Sequence, residues 1–87
     1  MSTTLSIAPN PTASNTTLYY TLATAGKVKL VVTNSLGVVV QSVLEVAHQE
    51  KGRFEAQLNT EELAAGLYFC SLQTAEGVIT QKLLVTK

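Results

Sequence analysis

The sequence contains no Trp and no Asp, one Cys (Cys70), one His (His48) and only two Pro, Pro9 and Pro11. Each shortage removes a class of function. A lone Cys cannot build a disulfide framework, and one Cys with one His falls short of the ligands a structural zinc requires. Without Asp, the alternating Asp and Asn ligands of a calcium loop cannot be assembled. Charge is also scarce. Only 14% of residues are charged, and six Lys plus Arg balance six Glu to a net charge of zero. Nucleic acid and anionic membrane surfaces both need a basic surplus. No apolar run approaches the ~18 residues that span a bilayer. The opening Met1-Ser2-Thr3-Thr4 lacks the basic region and apolar core of a secretory signal. We read residues 1–4 as a cloning or linker remnant and residues 5–87 as a single small domain.

Present in quantity are residues that favour strands. Val, Ile and Thr number 10, 2 and 12, and 46% of residues are hydrophobic, which excludes disorder as the main state. A chain of this size buries roughly 60–65% of its unfolded surface, so its core is modest. Glycines at positions 26, 37, 52, 66 and 77 each precede a run rich in Val, Leu or aromatics. That cadence of turn and strand belongs to a sandwich or barrel. Alternation predicts strands over Leu5–Ala8, Thr16–Leu22, Lys27–Asn34, Val38–Ala47, Arg53–Asn59, Leu67–Thr74 and Val78–Thr86. It turns inward Leu18, Tyr20 and Leu22; Val28, Leu30 and Val32; Phe54, Ala56 and Leu58; Tyr68, Cys70 and Leu72; and Ile79, Leu83 and Val85. Val31 interrupts an otherwise polar face and is expected to be partly covered. The fourth run alternates poorly and is expected to contain a bulge.

Asn34-Ser35-Leu36-Gly37 has the residues of a type I turn closed by a left-handed Gly. Thr74–Gly77 repeats that pattern, and Ala23–Gly26 and Gln49–Gly52 repeat it more weakly, so the chain is expected to be mostly hairpins. Asn59–Gly66 has a capping residue, two Glu and a closing Gly, and predicts a single helical or 3₁₀ turn crossing between sheets. Leu63 should plug one end of the core. The fold class is therefore all-β, a seven-stranded antiparallel immunoglobulin-like β-sandwich, with a small open barrel as the alternative.

Chemistry is thinly represented. Cys70 and His48 are the only nucleophile and base. Cys70 falls inside a strand as a small buried hydrophobe, and His48 falls in the polar stretch His48-Gln49-Glu50-Lys51 as an exposed loop residue. Glu61 and Glu62 suit a helix start better than an acid pair. The glycines close turns and do not cradle phosphate. Tyr19 and Phe69 point away from the predicted core and are candidate surface aromatics. No catalytic residue, cofactor site or metal site is expected, and the chain is not read as an enzyme.

The order of motifs resembles the C-terminal sorting domains of cargo proteins of the type IX secretion system, also called the Por secretion system. Pro9-Asn10-Pro11 is similar to the family's Pro-Asn-Pro opening, and Leu18, Tyr20 and Leu22 to its first long strand. Val28–Val32 followed by Asn34-Ser35-Leu36-Gly37 is similar to its strand and hairpin, with Asn34 where the family has Asp. Leu63-Ala64-Ala65-Gly66-Leu67-Tyr68 is similar to its L-x-x-G-x-Y motif, and Lys82-Leu83-Leu84-Val85-Thr86-Lys87 to its terminal basic and apolar strand. The resemblance covers about residues 5–87. It implies a non-catalytic address label at the end of a larger secreted protein of Bacteroidetes-type bacteria. The implied partners are the covalently linked N-terminal cargo and the outer-membrane translocon, shuttle and sortase. In many members the sortase removes the label ahead of the folded unit, here near or before Met1–Ser6, and joins the cargo to the cell surface. The recognition residues implied are Pro9, Asn10, Pro11, Gly66, Tyr68, Lys82, Leu83, Val85 and Lys87.

A strand ending at Lys87 suits a receptor that pairs with a strand edge. Lys82 and Lys87 equally suit protection of that edge against aggregation. An exposed apolar edge within Val38–Val46 suits a homodimer paired edge to edge. The competing reading is an immunoglobulin- or fibronectin-like adhesion or carbohydrate-binding module acting through Tyr19 or Phe69.

Overall fold

The computed structural model describes residues 2–87. Seven antiparallel strands form two sheets: β1 (Thr4–Ala8), β2 (Asn15–Leu22), β3 (Gly26–Asn34), β4 (Val39–Gln49), β5 (Gly52–Asn59), β6 (Gly66–Thr74) and β7 (Gly77–Val85). One sheet has the order β1-β2-β5 and the other β4-β3-β6-β7. Strands that follow one another in sequence thus change sheets three times, a Greek-key arrangement consistent with the immunoglobulin-like sandwich.

The strands form where period-2 alternation lets one face close on the other. Leu18, Leu30, Val32, Cys70, Leu72 and Leu83 are all 0% exposed, and Leu22, Val28, Leu58 and Val85 are 1% exposed. Tyr20 stacks on Phe54 across β2 and β5, with ring centroids 5.4 Å apart. Leu63 packs partly against this core, as does Ile79. The inward residues are those the alternation selects.

The connections differ from expectation. Only Asn34–Gly37 and Thr74–Gly77 join neighbours within a sheet as tight hairpins. The segments around Ala23–Gly26 and Gln49–Gly52 carry the chain from one sheet to the other. Turn-forming residues report that the chain reverses, and both kinds of reversal draw on them. The first hairpin has the expected closure. Asn34 accepts at its carbonyl from the Gly37 amide (3.0 Å), and its side-chain oxygen accepts from the Leu36 and Val38 amides (2.9 and 3.1 Å). Gly37 has φ +84°, a left-handed conformation that an L side chain adopts at a cost. The Asn59–Gly66 crossing, as expected, is a single turn that carries the chain from one sheet to the other. Asn59 Oδ1 accepts from the Glu61 amide (2.8 Å), and one i→i+3 bond joins the Leu63 amide to the Thr60 carbonyl (3.1 Å). Ala64 and Ala65 add no further helical bond before β6 begins.

β4 contains the expected irregularity. Its register against β3 shifts between Leu30 and Val31 and again between Val32 and Thr33, leaving Val43 and Val40 as extra residues. β4 extends to Gln49, so His48 lies in a strand and not a loop, though it is exposed and pairs with Glu50 at 3.0 Å. Val31 is only 2% exposed, more covered than expected, although it stands outside the core cluster with Ser42 and Ser71 as its cross-strand partners.

The registers set two poles. One collects the loops around 8–15, 34–39 and 59–66 and the end of β7; the other collects residues 2–3, 22–26, 49–52 and 74–77. The first and last described residues lie at opposite poles. Leu30→Ala, at a 0% exposed site, is expected to lower unfolding stability by about 2–5 kcal/mol. Leu36→Ala, where Leu36 is 85% exposed, is expected to change it by less than about 0.5 kcal/mol. Paired urea denaturation curves check both values.

Candidate functional site

An edge strand presents unpaired amides and carbonyls to whatever approaches it. β7 ends the four-stranded sheet, yet the second half of its free edge is occupied. The Asn10 carboxamide lies alongside it. Its Nδ2 donates to the Lys82 carbonyl (2.7 Å), and its Oδ1 accepts from the Leu84 amide (3.1 Å). One side chain thus supplies the donor and acceptor that a neighbouring strand's peptide groups would supply. The backbone then takes over in a parallel bridge. The Thr12 amide donates to the Leu84 carbonyl (2.9 Å), and the Thr86 amide donates to the Thr12 carbonyl (2.8 Å). Residues 10–12 form a strap along the edge from Lys82 to Thr86.

The strap is itself anchored by hydroxyls. Thr16 Oγ1 donates to the Pro9 carbonyl (2.6 Å), and Thr12 Oγ1 donates to the Asn15 carbonyl (2.8 Å). Thr60 reaches across from the β5–β6 turn, and both its amide (2.6 Å) and its Oγ1 donate to the Ser14 carbonyl. Thr12, Thr16 and Thr60 are the buried polar side chains among the described residues, at 3%, 2% and 0% exposure. Each is satisfied, as a buried hydroxyl must be if it is not to cost stability. Lys87 completes the connection, its Nζ donating to the Thr60 and Glu61 carbonyls at 3.0 Å each.

Tyr68 stands at the start of β6, where the chain enters the four-stranded sheet. Its hydroxyl donates back to the Ala64 carbonyl (2.7 Å), while its ring joins the core. This is the tyrosine-corner device of immunoglobulin-like sandwiches, here built from Leu63-Ala64-Ala65-Gly66-Leu67-Tyr68. Gly66 pairs with Val85 and Tyr68 with Leu83, so the corner and the last strand are registered to each other.

The structure brings the nine residues singled out in the sequence to one pole but gives them different surroundings. Pro9, Asn10, Pro11, Lys82 and Lys87 are exposed; Gly66 is half-buried; Tyr68, Leu83 and Val85 are buried. An open strand edge at the chain's end is not what the molecule offers, because the strap already pairs Lys82–Thr86. Nor is Lys87 free to guard an edge, since its ammonium is committed to the crossing turn. Sequence reasoning missed Thr12, Thr16, Thr60 and Ser14. Thr12, Ser14 and Thr60 lie in irregular segments that leave no periodic signal; Thr16 is in phase with Leu18, Tyr20 and Leu22 in β2, and that alternation could have marked it as inward.

Cys70 lies in the core, as its place in an alternating strand predicts. Burial pushes the Cys70 thiol up from 9.0 to about 12, and Cys70 is 0% exposed. The thiol therefore stays protonated and inaccessible near neutral pH. Among the described residues no group of three or more His, Cys, Asp or Glu is placed to hold a metal. No helix among them is long and apolar enough to cross a membrane.

Two packed sheets, a strapped final strand, a tyrosine corner and a thiol sealed inside make this a small β-sandwich module. The chain matches the model of the secretion system C-terminal sorting domain over residues 6–86, and it belongs to that family, the sorting domains of type IX secretion. No curated protein matches the chain. The family indicates a non-enzymatic signal that marks a larger protein for export.

Two measurements probe this architecture. Asn10→Ala removes both side-chain bonds to β7 and is expected to cost about 1–2 kcal/mol of unfolding stability; Tyr68→Phe, losing one bond, should cost about 1 kcal/mol. Denaturant titration of both variants checks the order. Because folding raises the Cys70 pKa, the folded state holds its proton more tightly. That contribution is intact below pH 9.0 and is lost as pH rises toward about 12. Burial raises the Tyr20 pKa too, so its contribution has the same sign. Across the Cys70 window stability is expected to fall by up to about 1.4 kcal/mol per pH unit. Cys70→Ala should flatten the earlier part of the fall in a pH series of melting curves.

Proposed function

We propose that this domain is a non-catalytic secretion signal that directs the protein joined to its N-terminal side across the outer membrane through the type IX apparatus, to the cell surface or beyond. The observation that carries the reading is the strapped pole. The Pro9-Asn10-Pro11 segment, the Gly66–Tyr68 corner and the end of β7 are three separate stretches of sequence, each resembling a motif of the sorting family, and they meet in one hydrogen-bonded unit. Residues 5–87 act as that unit.

Geometry favours the role in a second way. Thr3 is held at the far pole, where its hydroxyl donates to Glu76 (3.1 Å) and accepts from the Ala23 amide (3.1 Å). The described chain extends about 37 Å along its long axis. A cargo joined before residue 2 leaves from the pole opposite the strap and does not shade it. A sortase that trims the label must cut ahead of Thr4, because Leu5 is paired in β1 and only 3% exposed.

A second reading keeps one specific observation. Tyr19 is 40% exposed on the outer face of the three-stranded sheet, with Ser6 and Glu55 as cross-strand neighbours. An aromatic face among hydroxyls and a carboxylate suits a carbohydrate ligand.

The test joins the whole chain to a reporter carrying its own periplasmic signal peptide. In a type IX-competent bacterium the reporter should appear outside the cell; in an isogenic strain lacking the translocon it should stay in the periplasm. Export in both strains, or in neither, would remove the sorting reading. Trimming β7 is a poor substitute, because it takes Leu83 and Val85 from the core and unfolds the domain.

A further inference from the structure

We infer that the domain docks on its partner through the outer face of the four-stranded sheet at the strapped pole, and that the partner is a protein of the secretion apparatus presenting an apolar strip with a carboxylate that pairs with Lys82. This rests on the sorting reading above and assigns its contact surface.

The strand registers stack the outward side chains of this sheet in rows. Val39, Thr33, Phe69 and Lys82 form one row, and Leu67 and Leu84 form the next toward the pole. Val31, between Ser42 and Ser71, lies in the row above. Val39 is 55% exposed, Leu67 41% and Leu84 43%, and Phe69 is half-buried. Single exposed apolar residues are ordinary, but a contiguous group on a sheet face with no layer over it marks a contact surface.

The apolar side chains cluster on this half of the face; toward the other pole Val78, 63% exposed, stands alone beside Gln73. Toward the other pole the same sheet carries the Lys29–Glu45 pair (3.5 Å) and Gln73. The outer face of the opposite sheet surrounds Tyr19 with Ser6, Glu55, Thr17 and Gln57.

Charge selects the occupant. Lys82 borders Phe69 and Leu84, and among the described residues no carboxylate pairs with it; the ion pairs found are Lys29–Glu45 and His48–Glu50. Covering Lys82 with an apolar surface alone would strand a desolvated ammonium, so the covering surface must bring a negative charge. A second copy of this chain docking by the same face brings none, since those rows hold Lys82 and no Glu. The strap adds to the selection. With the β7 edge already paired from Lys82 to Thr86, a partner reaching this end of β7 meets side chains and not free backbone.

The experiment uses the full chain as a reporter fusion in a type IX-competent bacterium, with the same variants purified for denaturation and sedimentation. Leu67→Ser combined with Leu84→Ser is expected to reduce extracellular reporter by about tenfold or more, as loss of two apolar anchors would. Lys82→Glu should do the same and Lys82→Arg should restore export, while Tyr19→Ser on the opposite face leaves it unchanged. Unfolding midpoints near that of the unmodified chain show that the variants fold; Lys82→Glu, fully on the surface, serves if the double Ser variant does not. Wild-type export of a folded Lys82→Glu variant would overturn the assignment of this face while leaving the sorting reading intact. So would a dimer of the unmodified chain that Leu67→Ser and Leu84→Ser dissolve. Retention of the unmodified fusion in the periplasm would overturn both.

Discussion

The fold turns on a requirement of the last strand. A backbone amide or carbonyl withdrawn from water must be paired, and β7 has a neighbour on one side only. Here the other side is met from the first loop of the chain, by the Asn10 carboxamide and the Thr12 peptide groups. The contact spans more than seventy residues of sequence and links one sheet's opening loop to the other sheet's final strand. Its anchors, Thr12, Thr16 and Thr60, are the polar side chains the interior accepts, and all sit at this pole. The remainder of the interior is aliphatic and aromatic, with Cys70 as a small hydrophobe.

Much of this was legible from the sequence, and the reason is periodicity. Leu18-Tyr20-Leu22, Val28-Leu30-Val32 and Tyr68-Cys70-Leu72 alternate cleanly and all point inward, because a one-residue slip in register would expose the whole set. β4 alternates poorly and proved to be bulged at Val40 and Val43. The connections were less legible. The residues of Ala23–Gly26 and Thr74–Gly77 look alike, yet one crosses between sheets and the other closes a hairpin. That choice is made by which face each flanking strand must bury, a tertiary property. The Asn59–Gly66 segment forms the single turn its capping residue and closing Gly predict, and β6 and the Tyr68 corner claim the chain before a second turn can form.

The site was legible in part, and for a different reason. Asn10, Gly66, Tyr68 and Lys82 stood out through motifs resembling a known family, and no physical pattern assigned them contacts. The structure supplies the physical roles. Asn10 substitutes for a strand, Tyr68 staples a corner, and Leu83 and Val85 fill the core. Several residues that read as a signal are thus held by the fold, and only part of the motif faces outward. Of the Thr residues that anchor the strap, Thr16 is in phase with Leu18, Tyr20 and Leu22, while Thr12 and Thr60 could not be picked from twelve Thr by spacing alone.

That division decides how a partner can read the terminal strand. β7 has four aspects: one is paired to β6, one is in the core, its free edge is strapped from Lys82 to Thr86, and its outer face carries Thr80, Lys82 and Leu84. Three are spent on folding over the strand's second half. Along that second half the outer face is what remains for a partner in the folded state, and there it is continuous with neighbours on β6 and β3. A surface of this kind exists only when both sheets, the corner and the strap are in place. Under the docking proposed above, a partner would read a folded surface, and a truncation that takes Leu83 and Val85 from the core would remove that surface together with the strand.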